Sequence, residues 1–148
     1  MTAREQDGNG QAMAGAIQRK WGDAIKAGFQ VVPNVLVRHQ TRLGLDAIDV
    51  VVLLNLLAHW WEEQDRPFVS PATIGKRMKI TTRTVERHLK KMENRNFLKR
   101  DPRGPKSDDS PYIRRYDLTP LVGKLTEASQ TALTERAARR ASERAQQV

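Results

Sequence analysis

The residues best suited to do chemistry in this 148-residue sequence are basic, and they are concentrated in one segment. Residues 76–115 contain 14 of the 26 lysines and arginines and five of the 17 acids, so this segment has the net charge of the whole chain, +9. The remaining residues carry equal numbers of bases and acids. A positive field confined to one segment indicates a polyanionic partner such as a nucleic acid.

Within this segment, a predicted helix carries the residues best placed to contact bases. Val85, Leu89 and Met92 follow the i, i+4, i+7 spacing of a buried helical face. On the opposite side, within about 40° of its centre at 100° per residue, lie Arg83, Arg87, Lys90 and Asn94. Arginine can bridge guanine O6 and N7, and asparagine can pair with adenine. Because the first turn of such a helix reaches deepest into the major groove, the predicted base-reading residues are Thr82, Arg83, Thr84 and Arg87.

Eleven other basic residues of the segment are predicted to contact phosphate, which positions a protein on DNA without reading its sequence. Those on the helices and their turn are Lys76, Arg77, Lys79, Lys90, Lys91 and Arg95. Those on or beside the loop that follows, which is rich in turn formers, are Arg100, Arg103, Lys106, Arg114 and Arg115. Asp108 and Asp109 oppose this charge at the loop tip.

The elements that must position these residues begin with a short helix at Ser70-Pro71, a serine cap followed by proline. A turn over Lys79-Ile80-Thr81 follows, and Thr81 or Thr82 caps the next helix. Gly75 is small enough to let the two helices approach each other. Leu98–Arg100 and Tyr112–Tyr116 are predicted to form a β-hairpin around the basic loop.

A central helix is predicted over Ile48–Trp61, because this stretch is apolar almost all round. Asp46 is a good N-cap, with Asp49 three residues on and Leu45 and Val50 as a hydrophobic staple. Trp21, Trp60 and Trp61 are expected to be core residues.

The predicted organisation has four parts. Residues 1–13 form a disordered tail, 14–44 an N-terminal helical extension, 45–117 the DNA-binding domain and 118–148 a C-terminal helix. That helix begins at Thr119-Pro120, and its end has little to bury, so we expect it to be exposed as a partner surface or to fray.

Several classes of function are not expected. The chain contains no cysteine and no apolar run of the roughly 18 residues that span a membrane. His59 with Glu62 or Glu63 has the helical spacing of metal ligands, but such pairs recur by chance, so no metal site is predicted. We expect a cytoplasmic, nucleoid-associated protein that is not an enzyme and binds no cofactor, membrane or small-molecule ligand.

The sequence over residues 70–100, SPATIGKRMKITTRTVERHLKKMENRNFLKR, resembles the winged helix-turn-helix family of prokaryotic DNA-binding proteins. The resemblance covers Leu45 to Asp117. It implies a mainly α fold with a small β-hairpin and extra N- and C-terminal helices, with residues 82–91 as the recognition helix and 101–111 as the wing. Lys79 and Asn96 stand where glycine is usual, and asparagine tolerates the left-handed conformation.

The function we expect is sequence-specific binding of double-stranded DNA by a transcriptional regulator. A homodimer is expected, through the N-terminal helix around Trp21, the C-terminal helix around Leu121 and Leu125, or both. One alternative is a replication-initiation or partition protein of a plasmid, phage or other mobile element. Another is a protein–protein adaptor that presents the same basic face to an acidic partner.

Overall fold

The computed structural model describes residues 3–101 and 115–147, with side chains from Gly10 onwards. The chain forms two compact units, Met1–Val31 and Val32–Val148. In the described residues the fold is mainly helical, with one small antiparallel pair of strands, in agreement with the predicted class.

The first unit consists of helix α1, Ala3–Trp21, and a 3₁₀ turn over Gly22–Ile25. Helix α1 begins at Ala3, whereas the sequence predicted a disordered tail up to residue 13. The alanine, glutamate, glutamine and arginine residues of this stretch favour a helix and offset its glycines. Trp21 is 56% exposed, so the expectation that it is a core residue is wrong.

The second unit contains six helices and two strands among its described residues. They are α2 (Asn34–Arg38), α3 (Gln40–Leu43), α4 (Ala47–Leu57), α5 (Pro71–Met78), α6 (Thr82–Asn94), β1 (Lys99–Arg100), β2 (Tyr116–Asp117) and α7 (Thr119–Gln146). Leu53, Ile74 and Leu89 from its three central helices lie in the core. Leu36 of α2 and Leu121 and Leu125 of α7 belong to the same core.

The burial of Leu121 and Leu125 narrows the alternatives for the expected dimer interface. The C-terminal helix around these two residues was one of the two regions expected to contact a second copy of the chain. Instead their side chains are 1% and 7% exposed, and they pack into the core of their own unit. A helix whose apolar side is already covered cannot offer those residues to a partner. The fold therefore needs the first turns of α7, which lie outside the predicted 45–117 domain.

Helix α4 starts with the predicted capping box. The Asp46 carboxylate accepts a hydrogen bond from the Asp49 N–H at 2.8 Å, and the Asp49 carboxylate accepts one from the Asp46 N–H at 3.0 Å. The helix ends at Leu57, earlier than the predicted end at Trp61. Tight turns over Leu56–Trp60 take the chain off the helical path. Trp61 is consequently 73% exposed and not a core residue, whereas Trp60 is half-buried.

The link between α5 and α6 has the predicted caps. Ser70 Oγ accepts the Thr73 N–H at 3.1 Å at the start of α5, and Thr81 Oγ1 accepts the Thr84 N–H at 3.1 Å at the start of α6. Between them Lys79 adopts a left-handed conformation with φ of 53°. Lysine can adopt this conformation at a modest energetic cost, so the turn forms without the usual glycine.

Gly75 is required by the backbone of this turn. A Cβ atom at position 75 would lie 2.8 Å from the Ile80 carbonyl oxygen, which real Cβ contacts do not reach. The Ile80 N–H donates in return to the Gly75 carbonyl at 3.0 Å. The close approach predicted at Gly75 is therefore confirmed, and its neighbour is the backbone that links the helices.

The two strands pair antiparallel, with Lys99 opposite Asp117 and Arg100 opposite Tyr116. The Tyr116 N–H donates to the Pro67 carbonyl at 3.0 Å. The loop predicted as a wing, together with most of the predicted Tyr112–Tyr116 strand, lies outside the described residues. Thr119 does not cap α7: the residue before the helix is Leu118, and the Asp117 carboxylate accepts the Thr119 N–H at 3.0 Å.

Replacing Gly75 by alanine should destabilise the second unit by about 1–3 kcal/mol, because the added methyl group forces the turn backbone to move. Urea unfolding followed by circular dichroism measures this change. The control is Gly123→Ala in α7, where nothing lies within 4 Å of a new Cβ and alanine favours the helix. Equal stability of the Gly75→Ala variant and the wild type would contradict the close packing of the turn.

Candidate nucleic-acid interface

The outer face of α6 is basic and exposed, as the spacing of its residues predicts. Arg83, Arg87, Lys90 and Asn94 are all exposed, and they lie opposite the fully buried residues of the same helix. The three cations form no ion pair with any residue of the described ranges. We call Arg83, Arg87, Lys90 and Asn94 the α6 stripe. Its guanidinium and ammonium groups are available to an anionic partner.

The two predicted base-reading threonines differ in their surroundings. Thr82 is exposed at the first position of α6. The Thr84 hydroxyl lies 2.9 Å from the Thr81 hydroxyl, and this contact belongs to the cap of the helix. Thr82 can therefore reach a ligand more easily than Thr84.

The predicted phosphate contacts at the end of α5 are exposed beside α6. Lys76 and Lys79 are exposed, and Lys79 occupies the left-handed position of the turn. Arg77 is also exposed, but its Nη1 donates to the Asn55 side-chain oxygen at 3.1 Å, which directs it towards α4.

Lys91 points away from the α6 stripe and into a cluster of charges. Its Nζ lies 2.6 Å from Asp49 Oδ2 and 3.4 Å from Asp46 Oδ2. The hydrogen bond to Asp49 raises the pKa of Lys91 against the effect of burial. This ammonium group is engaged within the protein, so the contact with the DNA backbone predicted for Lys91 would compete with these ion pairs.

The same cluster contains a buried histidine–aspartate contact that sequence reasoning missed. Asp49 is fully buried and His88 nearly so, and His88 Nδ1 lies 2.6 Å from Asp49 Oδ1. The Asp49 carboxylate thus caps α4 and also contacts two side chains of α6, those of His88 and Lys91. The signal in the sequence was an acid inside an apolar helix, together with a histidine and a lysine one turn apart on α6.

Asp46, Asp49 and His88 also place three potential metal-ligating atoms within 4.8 Å of one another. The Asp49 carboxylate already contacts the Lys91 ammonium group, and both carboxylates accept backbone N–H groups. These contacts use the electron pairs that a cation would need. We interpret the cluster as an ion-pair network that joins α4 to α6.

Arg100 joins strand β1 to α6 through two ion pairs. Its side chain is 9% exposed, with Nε 3.0 Å from a Glu93 oxygen and Nη1 2.7 Å from a Glu86 oxygen. Burial alone would lower the pKa of Arg100, but the two glutamates outweigh that effect and raise it. Its assignment to the wing's DNA contacts is therefore replaced by a structural one.

The remaining predicted residues fall into two groups. Arg95 is exposed, and its Nη1 donates to the Gly44 carbonyl at 2.6 Å, which ties the end of α6 to the turn before α4. Arg115 is exposed, with a long hydrogen bond of 3.4 Å to the Arg66 carbonyl. The predicted wing residues Arg103, Lys106 and Arg114 lie outside the described residues.

Comparison with known proteins places this arrangement of helices in a family. Residues 32–136 match the DnaD N-terminal domain, and this region spans the whole site from α2 into α7. The chain belongs to the DnaD N-terminal domain family. The region that matches starts one residue after the first compact unit ends.

A curated relative of this family member is the "Replicative helicase loading/DNA remodeling protein DnaD" of Bacillus subtilis (strain 168). The two chains are 28% identical over 121 residues, which cover 80% of this chain and 50% of the relative. The chain therefore spans about half the length of the curated relative that it matches. The family favours the replication alternative over the expected role in transcriptional regulation.

Among the helices of residues 3–101 and 115–147, none is long and apolar enough to cross a lipid bilayer.

Replacing Asp49 by asparagine should destabilise this DnaD-family domain by about 1–3 kcal/mol, since it removes the charged acceptor of two buried contacts. The matched control is Asp46→Asn. Asp46 is about half exposed, and asparagine is as good an N-cap as aspartate, so the control should lose less. The free energy of unfolding of both variants is measured by guanidinium denaturation. An Asp46→Asn variant less stable than Asp49→Asn would contradict the central role of Asp49.

The ionisation of Asp46 in this cluster should make the stability of the fold depend on pH. Burial opposes ionisation of Asp46, but the Asp49 N–H, Lys91 and His88 together lower the pKa of Asp46 below its usual range. A lowered folded-state pKa stabilises the fold above the unfolded-state pKa of about 3.9, and the contribution is lost as the pH falls through the folded-state value. The stability advantage of wild type over Asp46→Asn should therefore shrink between pH 6 and about pH 2. A difference that grows on acidification would contradict this sign.

Proposed function

We propose that this chain binds double-stranded DNA during the initiation of DNA replication, in the loading of the replicative helicase. Its membership of the DnaD N-terminal domain family supports the replication context. So does the printed name of its Bacillus subtilis relative, a helicase-loading and DNA-remodelling protein.

The structural part of the proposal is that α4, α5, α6 and the hairpin form a winged helix-turn-helix. Several observations support it: α5 and α6 are joined by a three-residue turn, Gly75 admits the turn backbone, and an antiparallel pair of strands follows α6. In such domains the second helix of the pair enters the major groove. Here that helix is α6, and the wing would be formed by residues between the two strands.

The observation that carries the proposal is the α6 stripe. Arg83 and Arg87 are four residues apart and therefore project side by side, about 6 Å apart along the helix axis. Their guanidinium groups can each bridge guanine O6 and N7. The contact of His88 with Asp49 and the buried apolar residues of α6 hold the opposite side of this helix in the core, which keeps the two arginines pointing outwards.

The phosphate contacts of the proposal are fewer than the sequence predicted. Lys90 within the α6 stripe and Lys76 and Lys79 beside it are exposed and would contact the phosphate backbone on either side of the groove. The first turn of α6, with Thr82 exposed, offers N–H groups to a phosphate. Lys91, Arg95 and Arg100 instead serve the fold through the contacts described above.

Self-association remains part of the proposal, through a smaller set of residues than expected. With Leu121 and Leu125 in the core, the exposed Trp21 at the end of α1 is the surface that supports a homodimer. The absence of catalytic function stays a prediction from the sequence.

Arg83→Ala and Arg87→Ala should each weaken binding to a preferred duplex by about 1–3 kcal/mol, roughly 5- to 150-fold in Kd, and should relax its sequence preference. The preferred duplex is obtained by selection from a randomised pool, and Kd is measured by fluorescence anisotropy. The control is Arg38→Ala, an exposed arginine on α2, which should bind as the wild type does.

Two outcomes would contradict the proposal. Unchanged affinity and preference in both folded variants would remove α6 from the major groove. A wild-type protein that shows no duplex binding with a steep salt dependence would favour the adaptor alternative, in which the basic face meets an acidic protein.

A further inference from the structure

The second half of α7 leaves the core of its unit. Leu125 is the last residue of this helix to be buried, and every residue from Leu133 to Gln147 is exposed. At 1.5 Å per residue, this exposed part extends over about 20 Å. The region that matches the DnaD N-terminal domain ends at residue 136, so most of the exposed helix follows it.

The exposed helix has a basic face and a small-residue face. At 100° per residue, Arg136, Arg139, Arg140 and Arg144 fall within an arc of about 140°. We call these four residues the α7 arginine face. The opposite arc carries mostly small residues, among them Ala138, Ala141, Ser142 and Ala145, with Glu135 at its edge.

Two glutamates occur in this part of the helix. Glu135 is held by Arg42, whose Nη1 and Nη2 donate to its two oxygens at 3.0 and 2.8 Å. This hydrogen-bonded pair lowers the pKa of Glu135 and fastens α7 to α3 where the helix leaves the core. Glu143 lies within the arc of the α7 arginine face, which leaves that face with a net charge of +3.

The charge arrangement of this face favours the binding of an external anion. Arg136, Arg140 and Arg144 follow one another at i, i+4 spacing, where like charges destabilise a helix. None of these three forms an ion pair with a residue of the described ranges. An anionic surface laid along the helix would remove this repulsion.

The residue types distinguish among anionic partners. The face opposite the arginines has no bulky apolar side chain that could enter a bilayer, so an acidic membrane fits poorly. Residues 119–147 contain no aromatic side chain on which unpaired bases could stack, so a single strand fits poorly as well. Guanidinium groups match the geometry of phosphate oxygens, and the backbone of a duplex presents these in a regular row.

We propose that the α7 arginine face is a second contact site for duplex DNA, which grips the phosphate backbone without reading sequence. The site is separate from the α6 stripe and would add electrostatic affinity to it. It gives the exposed end of α7, which contributes nothing to the core, a role in holding DNA.

The test uses the full chain with all four arginines of this face replaced by glutamine, which keeps helix propensity and removes the charge. Each lost phosphate contact lowers the magnitude of the slope of log K against log salt by about 0.9, so the loss of four contacts should lower it by about 3.6 and affinity at low salt at least tenfold. A matched variant with the four arginines replaced by lysine keeps the charge and should bind nearly as the wild type does. Sequence preference should be the same in all three proteins.

Several results would overturn the proposal. One is a glutamine variant, folded by circular dichroism, whose salt slope and affinity equal those of the wild type. Another is a glutamine variant that binds duplex DNA as the wild type does but has a different oligomeric mass by sedimentation. This result would assign the face and the neighbouring exposed Leu133 to contact with a second copy of the chain. A third is a glutamine variant that no longer binds phosphatidylglycerol vesicles but binds duplex DNA as the wild type does, which would assign the face to a membrane surface.

The same experiment separates this site from the α6 stripe. If Arg83→Ala and Arg87→Ala have no effect but the glutamine variant loses affinity, the major-groove proposal fails and the α7 site stands. If the two α6 variants lose sequence preference and the glutamine variant keeps the salt slope of the wild type, the α7 proposal fails and the major-groove proposal stands.

Discussion

The Asp49 carboxylate is fully buried and lies 2.6 Å from both His88 Nδ1 and Lys91 Nζ. A buried charge is tolerated only where it is paired and hydrogen-bonded, so these two residues of α6 must face α4. The same carboxylate accepts the N–H of Asp46 and closes the cap of α4. The Asp49 carboxylate therefore helps to set both the start of α4 and the rotation of α6 about its axis. With His88 and the apolar residues Val85, Leu89 and Met92 turned inwards, Arg83 and Arg87 face outwards.

The high positive charge of the central segment serves two purposes. Part of it builds the fold: Lys91 neutralises Asp49, and Arg100 joins β1 to Glu86 and Glu93 of α6. Of the other described bases, those from Lys76 to Lys90 lie exposed on α5 and α6, and Arg95, Lys99 and Arg115 are exposed as well. A field that looks uniform in the sequence therefore contains both paired charges and an exposed patch on α5 and α6. The patch has the size of a helix face, which is the size of a major-groove contact.

Family membership and local geometry support the same function from different directions. The DnaD N-terminal domain covers the helices from α2 to the first half of α7, and these are also the residues that share the core. Beyond residue 136, α7 continues as an exposed helix with an arginine face. In the function proposed above, contacts with the phosphate backbone that do not depend on sequence would strengthen DNA binding, and this helix carries suitable residues. The chain thus combines a core typical of its family with basic surfaces on two helices.

The sequence by itself determined the local features of the structure. The caps formed by Asp46, Ser70 and Thr81, the inward face of α6 and its outward stripe all depend on residues within four positions of one another. Such features follow from helix geometry and from short-range hydrogen bonds, which a linear pattern records. Gly75 is an intermediate case, because its small size was recognisable but its neighbour, the Ile80 carbonyl, was not.

Only the tertiary structure decided the partners of the charged residues and the limits of the core. Lys91 and His88 meet Asp49 across about forty positions, and Arg42 meets Glu135 across more than ninety. Whether an arginine or lysine faces DNA or an internal carboxylate depends on which distant residues the fold brings near it. The same holds for Leu121 and Leu125, which are covered by the core, and for Trp61, which is exposed once α4 ends at Leu57. Pairing and burial are properties of the packed chain, because both depend on atoms far away in sequence.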